Sequence, residues 1–418
     1  MSLFPSVGNH QSFNAGRVFL CMAASYFWGA FNDNFYKQAA LLVAVTLGMA
    51  GIQGRATMLF ALPFLLFSAL GGWLADRYSK KSVIVAVKVL ELLAVLLGAV
   101  GLVELRWNLI LAMVFLLSLQ SSLFGPALNA ALPELYPPQA ITLVNARLKL
   151  ITTLAILIGI ALAGVVLDSG GGPLAVSGRQ LVAVCALFAS IMGLLASLGI
   201  HRFPAQKSHA PFPWRGPVQS MADLWHLRSD RLLALAIAGA GFFYFLASLV
   251  VLQINVLGIQ QLGYSSSRTS LLGVCLVAGI CAGAFLAARL TSIRCWTPVL
   301  APALLGLTLG LVVAGLSPAV AGLWQLPVLS SALAISGACG GLFLIPQSSF
   351  IQVRPPAPQR GKVIAAANFC AFGGILLSGQ LFTFLDQRLS PAQGLLLSAG
   401  LALVAAASVF AVVKTVAD

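Results

Sequence analysis

Asp33 and Lys37 are the side chains of this chain best placed to do chemistry, because almost everything around them is hydrocarbon. They lie in FNDNFYKQ, residues 31–38, between the apolar runs VFLCMAASYFWGAF and AALLVAV. In such surroundings a carboxylate can hold an amine or a proton, and an ammonium group can hold a phosphate or another anion. On a helix the two are four residues apart and share a face. Asn34 and Gln38 form a second such pair beside them, Asn32 adds another amide, and Phe31 and Phe35 point the other way. A further charged pair, Lys88 and Glu91, is three residues apart in VKVLELL and again shares a face. Lys88 can snorkel toward a membrane surface. Glu91 is deeper and needs a partner, either an ion pair or a place in a wet cavity.

Composition identifies the elements that must position these groups. Hydrophobic residues make up 60% of the 418-residue chain and charged residues only 8%, and the mean hydropathy is +0.98. A soluble fold of this size needs far more charge to cover its surface. Apolar windows of about 20 residues recur along the chain, each long enough to cross a ~30 Å hydrocarbon layer as a helix. They do not alternate, so a membrane β-barrel is excluded. The expected fold is an all-α polytopic membrane protein with twelve transmembrane helices, at about 17–45, 54–75, 82–103, 107–127, 141–166, 179–200, 231–257, 268–290, 296–316, 327–350, 362–385 and 391–413.

The first of these helices is ~43 Å long with its midpoint near residue 31, so the polar patch falls close to mid-membrane. Each charge there costs roughly 2.5–3.5 kcal/mol on insertion scales. One reading of the patch is an internal salt bridge that fixes this helix to its neighbours. The other is a pathway lining that binds a polar or charged part of a solute.

The organisation reads as a six-helix bundle over 1–200, a connector over 201–230 and a second six-helix bundle over 231–418. The connector is rich in proline and basic residues, and its second part is expected to form a short amphipathic helix with Met221, Leu224, Trp225 and Leu227 on the membrane surface. Eighteen Lys and Arg side chains fall on the side of the N-terminus, five fall on the other and Lys37 lies within the membrane, which accounts for all 24. The positive-inside rule therefore places both termini in the cytoplasm. The net charge of +14 is a topology signal that needs no nucleic acid to explain it.

No cleavable signal peptide is expected. The seven cysteines are scattered without CxxC spacing, so neither metal nor disulfides are expected, and the four histidines fall in polar stretches. Polar loops hold no Ser/His/Asp, metal or phosphate-cradling constellation, so neither an enzyme nor a bound cofactor is expected. The two halves also echo each other. FGPALNAALPELYPPQAITLVNA parallels LIPQSSFIQVRPPAPQRGKVIAAAN, each with a proline near a helix end, a Pro-Pro turn and an asparagine in the next helix. Parallel six-helix repeats of this kind build a central cavity at their interface.

The loop GGWLADRYSKKSVI, residues 71–84, resembles the signature loop of the major facilitator superfamily, through Gly72, Asp76, Arg77, Lys80 and Lys81. The resemblance implies the major facilitator fold and alternating access. It also implies that Asp76 meets the N-terminal end of the eleventh helix, where Arg360 and Lys362 lie, in a charge–dipole latch. The matching loop of the second half, LAARLTSIRCW, has Ala288 where the aspartate would stand, so the latch is one-sided.

Four segments are similar to one branch of that superfamily, the bacterial lysophospholipid transporters: FWGAFNDNFYKQAALLV, VKVLELL, SLFGPALNAALPEL and IPQSSFIQVRPPAPQRGKVIAAANF. This resemblance implies movement of lysophosphatidylethanolamine-type lipids from the outer to the inner leaflet of the inner membrane. A separate cytoplasmic acyltransferase would then reacylate them. On this reading Asn32, Asp33, Asn34, Lys37, Gln38 and Glu91 line the substrate site. The chain departs from the branch at Leu128 and Asn129, where a lysine and a tyrosine are usual, and at Lys149, where a glutamate is usual. The runner-up is a proton-coupled facilitator for a small amphipathic solute, with Asp33 as proton site. A further alternative is a non-transporting membrane partner that docks an acyltransferase through the connector.

Overall fold

Long apolar windows bounded by Gly, Pro and basic turns become helices in the computed structural model, which describes residues 9–136, 138–170, 176–200, 212–214, 216–292, 295–320, 322–356 and 359–417. In chain order these are α1 (Asn9–Thr46), α2 (Gly51–Arg77), α3 (Lys80–Glu104), α4 (Trp107–Leu135), α5 (Pro138–Asp168), α6 (Gly178–Leu198), α7 (Gly216–Leu227), α8 (Arg231–Val256), α9 (Ser266–Leu290), α10 (Leu300–Leu316), α11 (Gln325–Val353), α12 (Arg360–Leu385) and α13 (Pro391–Ala417). Eleven of them are long and apolar enough to cross a membrane. Those eleven exclude short α7 and also α1, the helix that carries the polar run FNDNFYKQ. The chain is a multi-pass membrane protein.

Capping follows local chemistry. Ser177 and Gln180 make a reciprocal capping box at the start of α6, Ser265 accepts from the Arg268 amide at the start of α9, and Asp230 accepts from the Leu233 amide at the start of α8. A π-helical turn, Leu257–Gln261, continues α8.

The chain divides into two compact units. One comprises residues 1–40 and 66–216, the other 41–65 and 217–418. The division thus falls inside α1 and α2, and not only at the connector.

In the first unit α3 packs on both α4 and α6. Its core joins Phe19, Met22, Ile84, Val87, Phe124, Leu128 and Leu148. Leu128 is fully buried there, whereas Asn129 and Lys149 are exposed. Leu128 is therefore an apolar core position.

In the second unit α10 packs on α11 and α13, and α9 on α11. The α9–α11 seam is built from small residues: β-carbons at Gly279 or Gly283 would strike the carbonyls of Ala334 and Ala338, and β-carbons at Gly337 or Gly341 those of Leu276 and Ile280. These glycines serve close helix packing, as GICAG and GACGG lead one to expect.

Leu41–Leu65 packs within the second unit through α12. A β-carbon at Gly54 would strike the Gly379 carbonyl, and one at Gly379 would strike the Gly54 carbonyl. Further along the same pair of helices, Phe64 and Phe372 stack with centroids 4.0 Å apart. Polar side chains at the end of α8 and in the π-helical turn are bonded here. Asn255 donates to Gln53 at 2.9 Å, Gln260 to the Val45 carbonyl at 3.0 Å and Ser398 to Gln253 at 2.9 Å, while Gln261 accepts from the Ala392 amide at 3.1 Å. They act as glue inside this unit.

Candidate functional site

The polar patch of α1 sits in the first unit, fitted closely to its neighbours. Gly159 of α5 lets the backbone of Phe31 and Phe35 approach, since a β-carbon there would lie 2.8 Å from the Phe31 carbonyl and 3.2 Å from the Phe35 nitrogen. Phe31 and Phe35 are buried and stacked, with centroids 5.2 Å apart. One residue further on, Tyr36 is fully buried and donates to the Gly98 carbonyl of α3 at 2.9 Å. The helix is thereby fixed in rotation, and Asn32, Asp33 and Lys37 can face only certain partners.

Lys88 and Glu91 form one such set. Lys88 Nζ lies 2.6 Å from Glu91 Oε2, and both side chains have 0% exposure. Asn32 donates to Glu91 Oε1 at 3.3 Å, which ties α1 to α3. The Lys88 ammonium also lies 4.7 Å from the Phe124 ring centroid. A β-carbon at Gly29 would come within 2.6 Å of it, so the glycine of FWGAF makes room for the charge. Lys88 does not snorkel to a surface. The Glu91 carboxylate is closed off by Lys88 and Asn32. It belongs to a sealed ion pair beneath the patch.

Asp33 differs. It is only partly buried, and its carboxylate accepts hydrogen bonds from α4: Gln120 donates to Oδ1 at 3.2 Å, and Ser121 donates to Oδ2. Lys37, one turn on, is also partly exposed. Asn34 turns its amide back to the Ala30 carbonyl at 2.8 Å, a bond within its own helix, and Gln38 is buried.

Gln120 and Ser121 were not among the candidates from sequence. The signal was the run SLQSS, residues 118–122, an uncommon density of hydroxyl and amide groups inside an apolar helix. Two buried amide oxygens of this cluster, Asn32 Oδ1 and Gln120 Oε1, lack a hydrogen-bond partner. The site around Asp33 therefore combines a carboxylate, two unpartnered amide oxygens and, one turn on, the Lys37 ammonium.

The motif residues lie at the basic end of the same unit. Gly71 packs α2 on α4, where a β-carbon would meet the Ser122 carbonyl at 2.7 Å. Gly72 has open space around it, so the close packing here is made by Gly71. Asp76 and Arg77 are exposed, with the Arg77 guanidinium 5.2 Å from the Trp73 ring centroid. Lys80 is buried at the start of α3, and Lys81 donates to the Leu198 carbonyl at the end of α6 at 2.8 Å. That bond partners an end-of-helix carbonyl and suits the helix dipole. In the second unit Arg360 donates to the Pro355 carbonyl at 3.2 Å, and Lys362 is exposed.

The family model described as Major Facilitator Superfamily matches residues 16–379. The chain belongs to the Major Facilitator Superfamily. No curated protein matches it. Among solved structures, a POT family transporter in complex with 5-aminolevulinic acid is similar with a TM-score of 0.72 and 14% identity, covering 98% of each chain. A bacterial homologue of the human lysosomal transporter Spinster, in an inward-facing and occupied conformation, gives 0.71 and 14%, covering 96% of this chain and 97% of that one. A mutant form of the nucleoside transporter NupG gives 0.69 and 15%, covering 95% of this chain and 99% of that one. At these identities the likeness is one of fold. That fold and the superfamily are those of membrane transporters rather than enzymes.

Proposed function

We propose that this Major Facilitator protein is a lysophospholipid flippase that moves lysophosphatidylethanolamine-type lipids from the outer to the inner leaflet of a bacterial inner membrane by alternating access. The observation that carries the reading is the partly exposed Asp33 carboxylate with the Lys37 ammonium one turn away on the same helix face. A partly exposed carboxylate beside two unpaired buried amide oxygens suits an ammonium group, which brings several N–H donors. Lys37, on the same face one turn away, suits the phosphate that accompanies that amine in a zwitterionic headgroup. An acyl chain is apolar and can remain partly in lipid. The four segments similar to lysophospholipid transporters support the same substrate class. Glu91 contributes through Asn32, and Asn34 and Gln38 shape the helix around the pair.

On this reading twelve helices cross the membrane as two six-helix repeats around a central cavity, with both termini cytoplasmic. The packing of α3 on α4 and α6, and of α10 on α11 and α13, supports the repeat. Asp76, Arg77, Lys80 and Lys81, with Arg360 and Lys362, belong to the conformational latch. A separate acyltransferase consumes the delivered lipid.

The test is uptake of labelled lysophosphatidylethanolamine by proteoliposomes or spheroplasts carrying the wild type, Asp33→Asn or Lys37→Ala. Loss of uptake in both variants, with normal membrane levels, is the expected outcome. Full activity in both ends the assignment. Asp33 also fits a second reading, proton-coupled movement of a small amphipathic solute. A pH gradient that drives uptake of a water-soluble compound, with no effect on lysolipid, would favour it. Lysolipid flux in the absence of any acyltransferase excludes a purely docking role.

A further inference from the structure

Helix α7 presents an apolar stripe that the rest of its unit does not cover. Val218, Met221 and Trp225 follow at intervals of three and four residues, which places them on one face, and they are 64%, 60% and 63% exposed. Leu224 and Leu227, expected from sequence on the membrane surface, instead hold the helix down by packing against the core cluster that contains Leu233, Trp296 and Phe350. The C-terminal end of the helix is pinned as well. Asp230, three residues beyond Leu227, caps α8 and accepts from Arg354 Nε at 2.9 Å. The stripe is thus fixed in orientation, directly before a span that begins at Arg231.

Charge says what covers it. The Arg228 guanidinium lies 3.5 Å from the Trp225 ring centroid, at the C-terminal end of the stripe. A guanidinium stacked on an aromatic face keeps its N–H edge free to bind phosphate in a fixed direction. Residues 201–231 carry Arg202, Lys207, Arg215, Arg228 and Arg231 against Asp223 and Asp230, a balance of five basic to two acidic. A water-soluble protein partner has no reason to prefer this combination of bare aliphatic stripe and basic edge. The headgroup layer of an anionic membrane does.

We propose that α7 is an interfacial helix that inserts Val218, Met221 and Trp225 into the cytoplasmic leaflet and selects anionic phospholipid through Arg228. The proposal depends on the chain lying in a bilayer, not on which solute it moves, so it survives or fails independently of the lysolipid reading.

The test is fluorescence quenching in nanodiscs, with the Trp225 signal isolated as the difference between the wild type and Trp225→Phe. Acyl-chain-brominated phosphatidylglycerol and brominated phosphatidylcholine are compared at equal mole fraction in otherwise identical mixtures. Trp225 is expected to be quenched by both lipids and more strongly by the anionic one. The local enrichment should be about five-fold for one arginine near an anionic surface, and Arg228→Gln should bring the two lipids level. Quenching of Trp225 by aqueous acrylamide but by neither lipid would overturn the insertion, whether water or a protein then covers the stripe. Equal quenching by the two lipids in the wild type would overturn the selection. Binding of both substituted proteins to a conformation-sensitive dye at the wild-type melting temperature confirms that they are folded.

Discussion

Lys88 and Glu91 form an ion pair 2.6 Å long from which neither side chain reaches any surface. In sequence they read as a possible cavity pair, yet the partly exposed carboxylate of the patch is Asp33. A sealed pair gains Coulomb energy but has lost the hydration of both ions, so its net contribution is small while the cost of leaving one ion alone is large.

Glu91→Gln and Lys88→Met should therefore each destabilise the protein by about 3–5 kcal/mol, and the double substitution by much less than the sum. Thermal unfolding in detergent for the two single variants and the double variant checks this as a double-mutant cycle. Strict additivity would mean that the two charges do not depend on each other.

Ser121 and Gln120 hold the Asp33 carboxylate from α4. Ser121→Ala removes one hydrogen bond to a charged group, which contributes about 1.5–3 kcal/mol in general. If the proposed function holds, the expected effect is weaker lysolipid transport through a higher apparent KM, with the expression level unchanged. Gln120→Glu should be worse than Gln120→Leu, because it sets a second carboxylate against Asp33 where the wild type has an amide. Concentration-dependent uptake by the three variants decides. Equal loss for Glu and Leu would show that charge at residue 120 is immaterial.

Much of the fold was legible because a membrane forces it. Backbone groups must be satisfied inside each span, so long apolar windows become helices, and the spans from 54–75 to 391–413 reappear with small shifts at their ends, except that α4 continues past 127 to Leu135. Seams such as Gly279 and Gly283 were legible for a similar reason, as small residues repeated on one helix face. The site was only half legible. Spacing placed Asp33 and Lys37 together, because i and i+4 is local geometry. It did not reveal that Glu91 is closed off by Lys88 and Asn32, or that Asp33 is held by Gln120 and Ser121. Those contacts join helices distant in sequence, and a single chain carries no record of which faces meet. The same limit hid the packing of Leu41–Leu65 within the second unit, since nothing in the turn at 47–50 announces it.

Gly54 and Gly379 are the contact that this packing depends on. Each backbone lies where the other's β-carbon would have to go, so neither position accepts a side chain without separating α2 from α12. Gly54→Val should force that separation, and Gly379→Val should do the same from the other side. If the seam opens and closes during transport, both variants will show increased labelling of a cysteine introduced at Gln53 by a membrane-impermeant maleimide added from outside, measured in a background from which the native cysteines have been removed. Labelling no greater than in the Gln53→Cys parent would show that the seam relaxes without opening.

Two aspartates outside the spans should respond to pH with opposite sign. Partial burial of Asp230 disfavours its charge, but this is outweighed by the Arg354 hydrogen bond, the Leu233 amide and the Arg354 charge, so its pKa is held below the usual carboxylate range. A depressed pKa contributes stability that is present above the unfolded value, about 3.9, and lost as pH falls through the folded one. Asp386, at the end of α12, is pushed the other way by burial, although its Oδ2 lies only 3.8 Å from where a Gly51 β-carbon would stand at the N-terminus of α2. A raised pKa contributes stability below the unfolded value that is lost as pH rises through the folded one. Asp230→Asn, which keeps the cap, should therefore lower the melting temperature at pH 7, with the gap to the wild type beginning to close only as the pH falls below about 4. Asp386→Asn should raise the melting temperature at pH 7 and converge in the same acidic range. Melting curves of the three proteins between about pH 3.5 and 8 test both signs. A drop in stability for Asp386→Asn at neutral pH would show that the dipole of α2 holds the Asp386 charge more strongly than burial opposes it.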